Sequence, residues 1–207
     1  MNQYFNVSGL KVLGSVLRRP ALLLPHYEVQ DVAKISFNKL KERGYQGIVF
    51  DCDNTLTPPY VPAFHPEFKV PIENCSHLFP GRVLIYSNSA GSNSDKDFEN
   101  AILLEQNLRL PVLRHTHQKP EGIEEVLQHF KGIPPKDLVM IGDRYATDIV
   151  FGNLNGMLTI HTKPFTSKGE NQVVKMIRKL EDIVVGILYK SKFRREAGLP
   201  ITEKEEL

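Results

Sequence analysis

The sequence predicts an α/β domain built on a mostly parallel sheet with helices on both faces. Short β-branched runs alternate with longer segments of helical period, as in chains of repeated strand–helix units. The strand runs are apolar on consecutive rather than alternate residues, the pattern of strands covered on both sides. At 207 residues and 41% hydrophobic content, the chain is long enough to bury one such core.

In chain order the predicted strands are "GIVF" (47–50), "RVLIYS" (82–87), "PVLRH" (111–115), "LVMIG" (138–142) and "MLTIH" (157–161). Helical patterns fall at 31–43, 67–77 (broken by Pro71), 95–106, 120–130, 145–153 and 171–189. In the last of these, Val173, Met176, Ile177, Leu180, Val184 and Leu188 are expected to cover the sheet. The intervals from Asp53 to Ser87 and from Ser87 to Lys119 each hold about one helix and a strand, so no cap domain is expected.

Charge and cysteine content narrow the function. A net charge of +2 is too mild for a nucleic-acid binder, and two cysteines make no disulfide framework, which fits a reducing compartment. No apolar stretch approaches the ~20 residues of a membrane span. Lys11 interrupts the first apolar segment, which argues against a secretory signal. Both ends are basic. On a helical wheel Leu10, Val12, Leu13, Val16 and Leu17 share one side and Lys11, Ser15 and Arg18 the other, so residues 1–30 are expected to form an amphipathic segment facing an anionic membrane surface. The alternative is packing on the core. Residues 31–190 form the expected domain and 191–207 a charged tail.

The chemically suggestive residues follow the strands. Asp51 and Asp53 come after "GIVF", Ser87 and Asn88 after "LIY", Lys119 soon after "PVLRH", and Asp143 after "LVMIG". In an open parallel sheet, ligands bind beyond the carboxyl ends of the strands, so these groups converge on one crevice. Adjacent carboxylates repel, and a cation relieves that repulsion. Asp51, Asp53 and Asp143 are the hard oxygen set that suits Mg²⁺. Lys119 adds a positive charge, and the Ser87 hydroxyl can bind phosphate or cap the next helix. Such a set serves phosphoryl transfer, with Asp51 as nucleophile and Asp53 first protonating the departing oxygen and then activating water.

"DCDNT", "YSNS", "QKP" and "GDRYATD" resemble the four ordered motifs of the haloacid-dehalogenase-like (HAD) phosphatases. The resemblance implies a HAD-like three-layer sandwich, with Asp51 as nucleophile, Asp53 as acid/base, Ser87 and Lys119 as phosphate binders and Asp143 as Mg²⁺ ligand. Asp148 would be a second acid of the last motif, or else a helix-surface residue. "SNSAGSNSDKDFENAILLEQ" with "LPVLRHTHQKP" is similar, more narrowly, to the mitochondrial phosphatidylglycerophosphatases of eukaryotes. That likeness implies a phosphatidylglycerophosphate substrate, a role in cardiolipin synthesis, and a peripheral place on the matrix side of the inner membrane. A capless phosphatase of soluble esters or phosphoproteins and a silent membrane-associated scaffold are the alternatives. Asn88, Lys96, Arg114 and Arg144 are further candidates for phosphate or headgroup contacts; Asn88 also reads as a helix cap, Lys96 as a helix-start charge, Arg114 as a solvated strand end and Arg144 as the partner of an aspartate. Cys52 is expected to be a small apolar filler.

Overall fold

β2 (Gly47–Phe50) and β4 (Leu138–Gly142), the two runs that precede the aspartates, pair in parallel from Gly47↔Leu138 to Phe50↔Ile141. β3 (Val83–Ile85) joins β2 on its other side, and β5 (Leu158–Thr162) joins β4. An unanticipated strand, β1 (Tyr27–Val29), closes the sheet beyond β5, giving the order β1-β5-β4-β2-β3 with every pairing parallel. This computed structural model describes residues 15–166 and 172–190. Residues 1–14 of the predicted amino-terminal amphipathic segment and the whole charged tail lie outside the described residues.

"PVLRH" is not a regular strand. It touches the sheet at one bridge, Ile85↔Val112, through Ile85 N–H to Pro111 O at 2.9 Å and Leu113 N–H to Ile85 O at 2.8 Å. Pro111 has no N–H to donate, and Arg114 turns aside to Glu105, so pairing stops after one residue.

Alternate residues of the strands feed two cores, as two-sided burial requires. Ile48, Phe50, Val83, Ile85, Val139 and Ile141 pack toward α1 (Phe37–Glu42), α2 (Lys69–Leu78) and α3 (Glu99–Leu108). Val49, Leu84, Leu138 and Met140 pack toward α4 (Ile123–His129) and α5 (Val150–Leu154). A third cluster joins Tyr145, Ile149 and Val150 to Leu23, Leu24 and to Val185 and Leu188 of α6 (Gln172–Lys190). The helical pattern at 31–43 is two pieces: a 3₁₀ turn at Val32–Lys34 capped by the Asp31 carboxylate, then α1 capped by Ser36.

α6 is turned differently from the expectation. Leu188 is buried, but Met176, Ile177, Leu180 and Val184 are exposed, and the inward positions, which pack on the cluster of Leu23, Leu24, Tyr145 and Ile149, include the charged Glu181. Between β2 and β3 the chain contributes one α-helix, α2, and between β3 and the Val112 bridge one more, α3. Among the described residues no inserted domain covers the strand ends. Among the described residues no helix is long and apolar enough to cross a membrane.

The two-sided core makes a direct prediction. Phe151 is fully buried and meets the Tyr86 ring edge-on at 5.4 Å. Phe151→Ala should cost about 3–5 kcal/mol in chemical denaturation, whereas Leu103→Ala at a half-open surface position should cost far less.

Candidate active site

The carboxyl ends of β2 and β4 place Asp51 and Asp143 side by side, because the ladder runs one step past the strands: Asp51 N–H donates to Ile141 O at 2.8 Å. After Asp143 the chain makes a π-helical turn, Tyr145–Ile149, before α5. Wide turns of this kind re-aim side chains at functional sites. Here the turn sends the Asp148 carboxylate back over Gly142. A Cβ at position 142 would sit 2.4 Å from Asp148 Cγ, so only glycine admits this approach.

Lys119 reaches the same point from the loop after the Val112 bridge. Its side chain is 1% exposed, and the ammonium lies 2.5 Å from Asp51 Oδ1 and 2.6 Å from Asp148 Oδ1. Asn88 aims it from behind by clasping its backbone: the Asn88 Oδ1 accepts from Lys119 N–H at 2.8 Å and the amide Nδ2 donates to Lys119 O at 3.4 Å. The chain of protons on the next loop is short. Ser89 Oγ donates to Asp53 Oδ2 at 2.6 Å, which leaves Ser87 to donate to Ser89 Oγ at 2.8 Å. Ser89 N–H and Ala90 N–H both point at Ser87 Oγ, at 3.1 and 3.3 Å. Asp53 Oδ1 accepts from Tyr60 N–H at 2.9 Å.

Asp51, Asp143 and Asp148 are buried, and an oxygen of each lies within 4.8 Å of one of the others'. Among the described residues two cations bond them: Lys119, and Arg178 of α6, whose Nη2 lies 2.8 Å from Asp143 Oδ2 and whose Nη1 donates to Asp143 O at 2.9 Å. Burial first, and then the negative charges of Asp148 and Asp53, raise the Asp51 pKa to about 7 against the pull of Lys119. Burial and Asp51 likewise raise that of Asp143, against Arg178. Burial opposes the charge on Lys119, but Asp148 and Asp51 outweigh it and its pKa rises. Three carboxylates against two cations, with all donors oxygen, fit a hard divalent cation better than any softer metal.

The cleft, of about 220 Å³, is lined by Asp51, Asp53, Ser87, Asn88, Lys119, Asp143, Arg144 and Asp148. Three expectations need correcting. The Asp53 carboxylate stands outside the three-acid group, because Tyr60 N–H and Ser89 draw it aside. Arg114 is not at the cleft; it forms a two-pronged pair with Glu105 at 2.7 and 2.9 Å and lies over the Phe98 ring. Lys96 sits on the 3₁₀ turn Lys96–Phe98, exposed and outside the cleft lining. Arg144 does line the cleft, tied at 3.3 Å to Glu181. Cys52 is buried as filler, its thiol pKa pushed up by burial and then by Asp53.

Reasoning from sequence missed Arg178 and Ser89. Ser89 belongs to the quoted "YSNS" run, so a signal existed. The buried His115 ring spans Ser87 O at 2.9 Å and His117 O at 2.7 Å, tying two site loops together. Arg178 carried no local signal, since it meets Asp143 across 35 residues of chain.

A family model described as mitochondrial PGP phosphatase matches residues 7–166, which contain every residue of the cleft except Arg178. The chain belongs to the mitochondrial PGP phosphatase family. It is 41% identical over 188 residues to the chloroplastic phosphatidylglycerophosphate phosphatase 1 of Chlamydomonas reinhardtii, covering 89% of this chain and 70% of that one. Identity to the chloroplastic/mitochondrial enzyme of Arabidopsis thaliana is also 41%, over 87% of this chain and 53% of that longer one. The mitochondrial phosphatidylglycerophosphatase of Saccharomyces cerevisiae is 33% identical, over 84% of this chain and 96% of its own. No solved structure matches the chain. The fold and motif order of this PGP phosphatase family member are those of a HAD-like core without a cap.

Gly142 is the cheapest test of this geometry. Gly142→Ala must displace the Asp148 carboxylate from Lys119, and phosphatase turnover should fall at least about tenfold, equivalent to ~1.4 kcal/mol. Far-ultraviolet circular dichroism should show the sheet intact.

Proposed function

We propose that the protein hydrolyses phosphatidylglycerophosphate to phosphatidylglycerol and phosphate through a phosphorylated Asp51. The observation that carries this is the buried contact of Lys119 with Asp51, with Asp53 standing two residues on but outside the acid cluster. The names of the relatives support the substrate. Membership of the family supports a mitochondrial setting, and we place the enzyme peripherally on the matrix side of the inner membrane, in cardiolipin synthesis.

In this scheme Lys119 holds one oxygen of Asp51, and the other attacks phosphorus. Asp53, held by Ser89 and the Tyr60 amide at the mouth, gives its proton to the departing glycerol oxygen. It then takes a proton from the water that cleaves the acyl phosphate. Ser87 and Lys119 bind phosphate oxygens as charge builds on them, and the amides of Ser89 and Ala90 hold the Ser87 hydroxyl in place. Asn88 positions Lys119, and Arg144 receives the negatively charged headgroup at the rim. Asp51, Asp143 and Asp148 would hold Mg²⁺, which supplies neutralisation of phosphate charge. The uncapped strand ends admit a bulky lipid headgroup.

Release of phosphate from the lipid tests the scheme. Asp51→Asn and EDTA should each reduce it to background, and Asp53→Asn should slow it by about 10²–10⁴-fold. Activity that survives Asp51→Asn refutes the nucleophile, and a preference for soluble esters over the lipid refutes the substrate.

The raised carboxylate pKa values predict how Mg²⁺ acts on stability. A folded-state pKa above the unfolded one means that the native state holds extra protons. The contribution of Asp51 is therefore complete below about pH 4, near the pKa of an unfolded aspartate. It is lost as pH rises through about 7. A divalent cation competes with those protons. Added Mg²⁺ should thus raise Tm more at pH 8 than at pH 5, and equal shifts at both would place the ion elsewhere.

A further inference from the structure

α6 exposes what it was expected to bury. Its inward side carries Glu181, Val185 and Leu188, with Arg178 beside them. Met176, Ile177, Leu180, Ile183, Val184 and Ile187 face water, and Leu180, Ile183 and Ile187 are 56%, 59% and 62% exposed. At about 100° per residue these six share one arc of roughly 120°. Lys175, Lys179 and Lys190 occupy the adjoining outer arc, with Asp182 as the acid among them. A contiguous apolar stripe of this size on a monomer marks an interaction surface.

The flanking charge decides what it meets. Pairing the stripe with a second copy would bring the lysine flanks of two chains together. An anionic lipid surface satisfies both arcs at once: the apolar side chains enter the acyl boundary and the lysines reach the headgroups. The helical turn at 15–18 packs on the same cluster through Val16 and presents Leu17, Arg18 and Arg19 outward, adding basic and apolar groups near the end of α6.

We propose that the outer face of α6 lies in the headgroup layer of an anionic bilayer and holds the cleft at that surface. The same helix reaches the cleft from its inner side, where Arg178 bonds Asp143 and Glu181 pairs with Arg144. The seated helix is therefore one side chain away from the reacting carboxylates. This surface deepens the lipid-phosphatase reading and rests on it for its purpose, while its geometry stands on α6 alone.

Flotation with vesicles of phosphatidylcholine, with and without phosphatidylglycerol, tests it. The full chain should float with the anionic vesicles and much less with the neutral ones. Leu180→Asp/Ile183→Asp/Ile187→Asp should cut the bound fraction by roughly tenfold while hydrolysis of a soluble phosphate ester stays unchanged. The chain has no tryptophan, so Ile183→Trp supplies a single reporter that preserves the apolar face. Its emission should shift to the blue with anionic vesicles. Unchanged flotation of the triple variant, or unshifted emission, overturns the proposal. So does light scattering that shows a wild-type dimer, a monomeric variant and undiminished vesicle binding, which assigns the stripe to a second copy. Phosphate release from phosphatidylglycerophosphate in detergent micelles runs in parallel. Its absence in the wild type sinks the lipid-phosphatase reading and leaves the vesicle result standing.

Discussion

The burial of the Lys119 ammonium between Asp51 and Asp148 is the constraint on which the rest of the site depends. A charge this deep is tolerable only when paired, and removing one member of such a group costs about 3–5 kcal/mol because the others are left uncompensated. The pairing draws on three separate stretches of chain: the end of β2, the π-helical turn after β4, and the loop that Asn88 clasps. Each stretch is therefore held in place by the others, and the cleft is pre-formed before any substrate arrives.

That arrangement follows from the position of β2. It has β4 on one side and β3 on the other, so the connections diverge from its carboxyl end and leave a crevice there. Gly142 lets Asp148 close one wall, and the Ser87–Ser89–Asp53 hydrogen bonds build the other. The two aspartates of "DCD" thereby come to differ in kind. Asp51 is sunk among charges and holds a raised pKa, while Asp53 stands nearer solvent in the grip of a hydroxyl and an amide. The roles proposed for them, nucleophile and proton carrier two residues apart, need such unlike surroundings.

Much of this was legible because apolar runs followed by acids have a local signature. β2, β4 and β5 stand where "GIVF", "LVMIG" and "MLTIH" predict, and the groups that converge at their ends follow from parallel topology. What escaped was set by contacts distant in sequence. β1 is three residues with Glu28 at its centre, and it pairs because β5 offers an edge, not because its own pattern is strand-like. "PVLRH" has the composition of a strand but loses its pairing to Pro111 and to the Arg114–Glu105 pair. Hydrophobic period located α6 correctly and misjudged its orientation, since it could not know that Arg178 and Glu181 had partners awaiting them at the cleft.

The orientation of α6 carries the last step. A helix with two apolar arcs can dock by either, and area burial alone favours covering as much carbon as possible. This one instead turns inward the face that carries Arg178 and Glu181, placing a guanidinium on Asp143 and an acid on Arg144. The ion pairs at the cleft thus choose the face, and the apolar residues left outside are the consequence. A single docking decision therefore sets both the charge balance at the clustered carboxylates and the chemistry of the surface around them. Substitutions that weaken Arg178 at Asp143 would loosen both together, because the helix has an apolar alternative to roll toward.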